Sequence, residues 1–267
     1  MIAARRKIGP RNYFIADALT LKADYIMATN PAEAEPLCLE ATDLFLTRPE
    51  LWCSSHTISV QNLLELSQRA DTIEHSERLA RLAVAAGDKL WDALPFVKMA
   101  AGEWLAICHA RMGRNREAEE GYRQVLAARR ASSDADAKRD LHNTLWNYAD
   151  LLIRQGRYAE AEPLLRESIQ LRGAKPFAGT SLKSEAEILL GRCVAARGRF
   201  AEAEPLLVGG LERIRRDRRV YPPFLMDTYN SVVAFYQAWG KPDRVALWRS
   251  RRIDALFVAK PFADRGF

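Results

Sequence analysis

The chain has 267 residues, 48% of them hydrophobic and 28% charged, with a formal net charge of +6. That balance predicts a soluble protein, and Asp17, Lys22 and Asp24 break the N-terminal stretch before it reaches signal-peptide or membrane-spanning quality. Cys38, Cys53, Cys108 and Cys193 show neither CxxC spacing nor clustering, so they read as buried small hydrophobes of a reducing compartment, which predicts the cytoplasm.

Taken in chain order, the sequence is a repeat. A first unit over residues 13–50 carries AEAEPL at Ala32–Leu37, and a second over 56–88 keeps the beat in HSERLARLAVAAG, where Leu79 aligns with Leu37, Leu164 and Leu206. The third, 99–130, supplies Gly113. The fourth, 141–172, is the clearest: Leu145, Tyr148, Ala149 and Leu152 recur at i, i+3, i+4 and i+7, one face of a helix, and Gly156 ends it as a left-handed residue does. Ala161, Leu164, Leu165 and Ile169 form a second stripe, and Pro163, expected in the first turn, puts that helix's start near residues 158–160. The fifth unit, 184–216, repeats the AEAEPLL of Ala159–Leu165 at Ala201–Leu207, 42 residues on, and the sixth, 225–256, contains Gly240. Segments 131–140, 173–183 and 217–224 fall at one phase of the period and read as loops, with Pro222 and Pro223 the firmest break. Neither helix of a unit can bury its stripe alone, whereas stacked hairpins share a continuous core.

Small residues mark both helices, Ala106, Ala149 and Gly191 in the first and Ala34, Ala118, Ala161 and Ala203 in the second. This order resembles the tetratricopeptide repeat, and the period near 42 with GRYAEAEPLL resembles its longer variety, found in kinesin light chains and many bacterial proteins. The C-terminal unit is similar to the closing repeat of arrays that trail bacterial serine/threonine kinases; no VAIK, HRD or DFG motif accompanies it, so kinase activity does not carry over. The resemblance implies an all-α, right-handed α-solenoid of about six helical hairpins forming a single domain over 1–267. Lys22, Leu64, Ser76, Val233 and Val245 depart from the small-residue pattern, and the second unit's helix pairing is the least regular.

Catalytic and metal constellations are lacking. Cys108 and His109 are helix neighbours whose side chains diverge by about 100°. His56, His75 and His142 are scattered without metal-ligand spacing, and no glycine-rich phosphate loop occurs. Acidic pairs such as Glu160 and Glu162 fit a second-helix first turn, where they complement the dipole. No cofactor is predicted. The net charge raises nucleic acid as a partner, yet arginines concentrate at helix ends, as in Glu212–Arg219 and Trp248–Asp254, where cations are favoured anyway.

What a solenoid offers is a concave surface, which the resemblance assigns to the first helices. Its inward positions hold Glu103, Trp104 and Arg111; Asn143, Trp146, Asn147, Asp150 and Arg154; Glu185 and Arg192; and Asp227, Asn230 and Gln237. Asn147, in WNYAD, resembles the residue that bonds the backbone of a bound peptide. Trp104 and Trp146 serve either hairpin packing or a ligand. The expected function is a non-catalytic scaffold binding a partner's peptide segment or helix, possibly acidic. The alternatives are a regulatory module acting on a kinase or other signalling effector and, third, a nucleic-acid-binding repeat protein.

Overall fold

A computed structural model describes residues 13–47, 54–89, 95–133, 135–173, 181–215 and 222–259. Among these residues there are twelve helices and no strand: α1 Tyr13–Met27, α2 Pro31–Thr47, α3 Ser54–Arg69, α4 Ile73–Lys89, α5 Pro95–Arg111, α6 Asn115–Ala131, α7 Ala135–Arg154, α8 Tyr158–Gly173, α9 Ser181–Ala196, α10 Phe200–Ile214, α11 Pro222–Ala238 and α12 Pro242–Ala259. The all-α expectation holds, with one helix pair for each predicted unit.

The glycine beat has a backbone cause. Gly113, Gly156, Gly198 and Gly240 all adopt φ between 70° and 76°, the left-handed region in which a Cβ is strained. At Gly156 the amide of Arg157 reaches back to the Leu152 carbonyl at 2.9 Å and that of Gly156 to Ile153 at 2.9 Å, satisfying carbonyls that the end of α7 would otherwise orphan. Pro163, Pro36 and Pro205 lie inside their helices rather than in the first turn. They are exposed, so the lost backbone bond sits where water can reach. Segment 131–140 is mostly helical, since α6 ends at Ala131 and α7 begins at Ala135. Of the other two predicted loops, residues 174–180 and 217–221 lie outside the described residues, while Gly173 ends α8, 181–183 open α9 and 222–224 open α11, so these ends are helical rather than loop; Pro222 suits a helix N-terminus.

The chain divides into two compact units, Met1–Thr144 and Leu145–Phe267. Within the first, α1 packs on α2, α3 on α4 and α5 on α6; each second helix meets the next first helix, and first helices neighbour one another as α1 with α3 and α3 with α5. Ala23, Ala34, Leu63, Leu79, Ala83 and Ala101 are fully buried in its core. The second hairpin pairs regularly because Ser76, standing where alanine is usual, is small enough to be buried and hydrogen-bonded: its Oγ donates to the Ser67 carbonyl at 2.7 Å. Lys22, which departs from the pattern, lies on the surface, where its ammonium reaches Glu33 at 3.2 Å. Within the second unit α9 packs on α8, α10 and α11, and α11 on α12. Small residues set these contacts: a Cβ on Gly191 would lie 2.7 Å from Leu207, and one on Gly210 2.6 Å from Ile188.

Candidate functional site

In the 145–267 unit, first helices α9 and α11 are neighbours, and a guanidinium marks their seam: Arg192 donates to Asp227 at 3.1 Å. In α7, Arg154 is paired with Asp150, one turn earlier, at 2.7 Å. Both arginines therefore have their charge matched within the chain. Asn147 and Trp146 are half-buried, and the Trp146 indole N–H is shielded without an acceptor. Gln237 is exposed; Asn230 is exposed but accepts from Arg252 at 2.7 Å.

The 1–144 unit treats its predicted positions differently. Glu103 is buried and takes Arg129, itself only 2% exposed, at 2.7 Å, a bond between α5 and α6 that withdraws it from any open surface. Trp104 donates its indole N–H to Ser76 of α4 at 3.1 Å, so it packs between hairpins. Arg111 is exposed at the end of α5, and Asn143 is half-buried.

A recurring feature escaped the sequence reading. In four hairpins the glutamate after the second helix's small residue is not merely a dipole partner; it reaches the following hairpin, whereas Glu119 meets Arg123 of its own helix and Val245 is followed by Ala246. Glu35 meets His75 at 2.9 Å, Glu77 meets His109 and Arg114 at 3.4 Å, and Glu204 accepts from the Tyr236 hydroxyl at 2.6 Å. Glu162 holds three guanidiniums, Arg166 at 2.7 Å, Arg197 at 2.6 Å and Arg199 at 3.0 Å. Burial alone would raise the Glu162 carboxyl; hydrogen bonds from Arg166, Arg199 and Arg197 outweigh it and hold it at about 2. Glu77 is lowered likewise, burial being overcome by Arg81 and His109. The signal was present: Arg114, Arg157, Arg199 and Lys241 each follow a turn glycine, one period apart.

Between α4, α5 and α6 lies an open cavity of 740 Å³ with an apolar floor of Val84, Leu105, Ala106 and Val125 and a charged rim that includes Glu117 and Arg123. Gly121 and Ala106 both line it where α5 and α6 approach closely; a Cβ on Gly121 would stand 3.0 Å from that of Ala106. Catalytic chemistry is not assembled from the candidates. Cys108 contacts Ser76 at 3.3 Å while His109 faces Glu77, and burial raises the Cys108 thiol. Among the described residues no group of three His, Cys, Asp or Glu could hold a metal, and no helix is long and apolar enough to cross a membrane.

The tetratricopeptide-repeat family profile matches residues 98–172 and 140–215. Residues 98–215 therefore carry tetratricopeptide repeats. The chain's fold is that of the kinesin-light-chain-like form: it is similar to the nearly identical repeats of a putative kinesin light chain from Podosopora anserina, at 18% identity over 76% of this chain and 96% of that one, with a TM-score of 0.61. It is similar to BtubC (BKLC) from P. vanneervenii, at 16% identity over 94% and 91%, with a TM-score of 0.63. A signal transduction ATPase with a tetratricopeptide-repeat sensor from Pyrococcus horikoshii is 13% identical over 94% of this chain and 38% of its own, with a TM-score of 0.68. No curated protein matches the sequence.

Proposed function

We propose that the chain is a non-catalytic interaction scaffold whose first helices bind a peptide segment of a partner protein, with Asn147, Asp150, Arg154, Arg192, Asp227 and Gln237 as the working residues of the 145–267 unit. The observation behind this reading is the Arg192 to Asp227 pairing, which bridges two neighbouring first helices with partly exposed charged groups. An acidic ligand fits by exchange. Its carboxylates replace Asp227 and Asp150 on guanidiniums that are already oriented, so little side-chain entropy is lost on binding. In keeping with this, a Rap protein crystallised with Competence and Sporulation Factor shares the fold at a TM-score of 0.53. The cytoplasm is its proposed site, since Cys38, Cys108 and Cys193 are free thiols.

Peptides selected from a random display library on the full-length chain test this. Arg154→Glu and Arg192→Glu are expected to weaken them tenfold or more, and Asp227→Ala to strengthen acidic ones. Undiminished binding to both arginine variants, with loss on Arg215→Glu, moves the working surface to the loop edge. Selective capture of RNA with a steep salt dependence replaces the reading with nucleic-acid binding. A second reading, a regulatory array acting on a kinase or other signalling effector, draws on the Pyrococcus protein, whose repeats are described as a sensor.

A further inference from the structure

Among the described residues the exposed large hydrophobics are Phe14, Leu21, Tyr25 and Leu247, and three of these four lie on α1. Phe14, Leu21 and Tyr25 follow one another at intervals of seven and four, so they share a face of the helix. The repeat says what that face is for. Residues one period or more from Tyr25, namely Ser67, His109, Leu152, Val194 and Tyr236, are 0 to 9% exposed, whereas Tyr25 is 86% exposed. Leu63, Tyr148, Leu190 and Val232, equivalent to Leu21, are likewise buried, and Leu105 is half-buried. At His109 and Tyr236 this face meets the preceding second helix, α4 on α5 and α10 on α11, while at Ser67 it meets the hairpin's own second helix, α4.

The chemistry of the occupant can be read from those same junctions. Tyr236 donates its hydroxyl to Glu204 of α10 at 2.6 Å, and His109 meets Glu77 of α4 at 3.4 Å. Both glutamates directly follow the residue at the buried small position of their helix, Ala203 and Ser76. Tyr25 offers the phenol of Tyr236 at the same place in the repeat, with Leu21 beside it.

We propose that α1 is a docking surface for one amphipathic helix of a partner protein, carrying a small residue followed by glutamate, which seats on α1 as each second helix seats on the next first helix. Its leucines cover Leu21, and its glutamate accepts the Tyr25 hydroxyl. This face is separate from the strip proposed above.

The probe is a helix-stapled peptide of residues 200–215, the chain's own α10, titrated by fluorescence anisotropy against the full chain. Saturable one-to-one binding is expected. Leu21→Asp should weaken it tenfold or more, and Tyr25→Phe or a Glu204→Gln peptide a few-fold each. Both replaced side chains are exposed, so the variants stay folded, which circular dichroism verifies. Arg154→Glu and Arg192→Glu should leave this binding unchanged, which separates its failure from failure of the peptide strip. Absence of saturable binding, or binding indifferent to Leu21→Asp, overturns the proposal. So does a concentration-dependent dimer in sedimentation that Leu21→Asp abolishes, since the occupant is then a second copy.

Discussion

Replacing Glu162 by Gln leaves the shape of the side chain and removes the charge that three arginines share. The folded carboxyl is drawn from 4.5 to about 2. Taken whole, that difference corresponds to about 3 kcal/mol of stability at neutral pH. The carboxylate is 10% exposed but its three guanidiniums are 39 to 45% exposed, so screening trims the figure to about 2 kcal/mol. Because the folded value is depressed, the contribution is complete above the unfolded value and fades as pH falls from 4.5 towards 2. Urea unfolding of the wild type and Glu162→Gln, followed by circular dichroism, should give a gap of about 2 kcal/mol at pH 7 that falls to roughly half at pH 3. An equal gap at both pH values, or none at pH 7, would show that the arginine cluster does not tie the fourth hairpin to the fifth.

Gly156→Ala should cost about 1 to 2 kcal/mol, read from the same urea curves, because φ is 75° there and nothing stands within 4 Å, so strain alone is measured. Gly210→Ala should cost about 1 to 3 kcal/mol for the opposite reason, a methyl driven into Ile188. Burial pushes the Cys38 and Cys193 thiols up to about 12, so in a Cys53→Ser chain a disulfide thiol reagent at pH 8 should label neither until urea is added. Ala161→Arg, at a fully buried position, should lower the melting temperature by several degrees or prevent folding.

Local rules carried most of the fold. Gly113, Gly156, Gly198 and Gly240 are turn residues because of their own φ, and the apolar periodicity of α7 and α8 needs no distant partner. Residues 135–140 were misread because Asp136 and Asp140, following Ser132 and Ser133, suggest a loop, although Ala135, Ala137, Lys138 and Arg139 are good helix formers and α7 takes them in. The candidate site was less legible, since a pattern of positions cannot reveal a side chain's partner. Glu103 occupies an inward position yet is claimed by Arg129, and Trp104 turns to Ser76. The glutamate ladder joins residues 32 to 40 apart, a distance visible only once the period is applied to charges as well as to apolar residues.

The central claim is that first helices bind the partner segment. Amide hydrogen exchange on the full chain, with and without a display-selected peptide at saturation, measures this directly. The account predicts slowed exchange in α7, α9 and α11 and little change in α8, α10 and α12. Protection confined to the second helices, or unchanged exchange throughout at saturation, would contradict it.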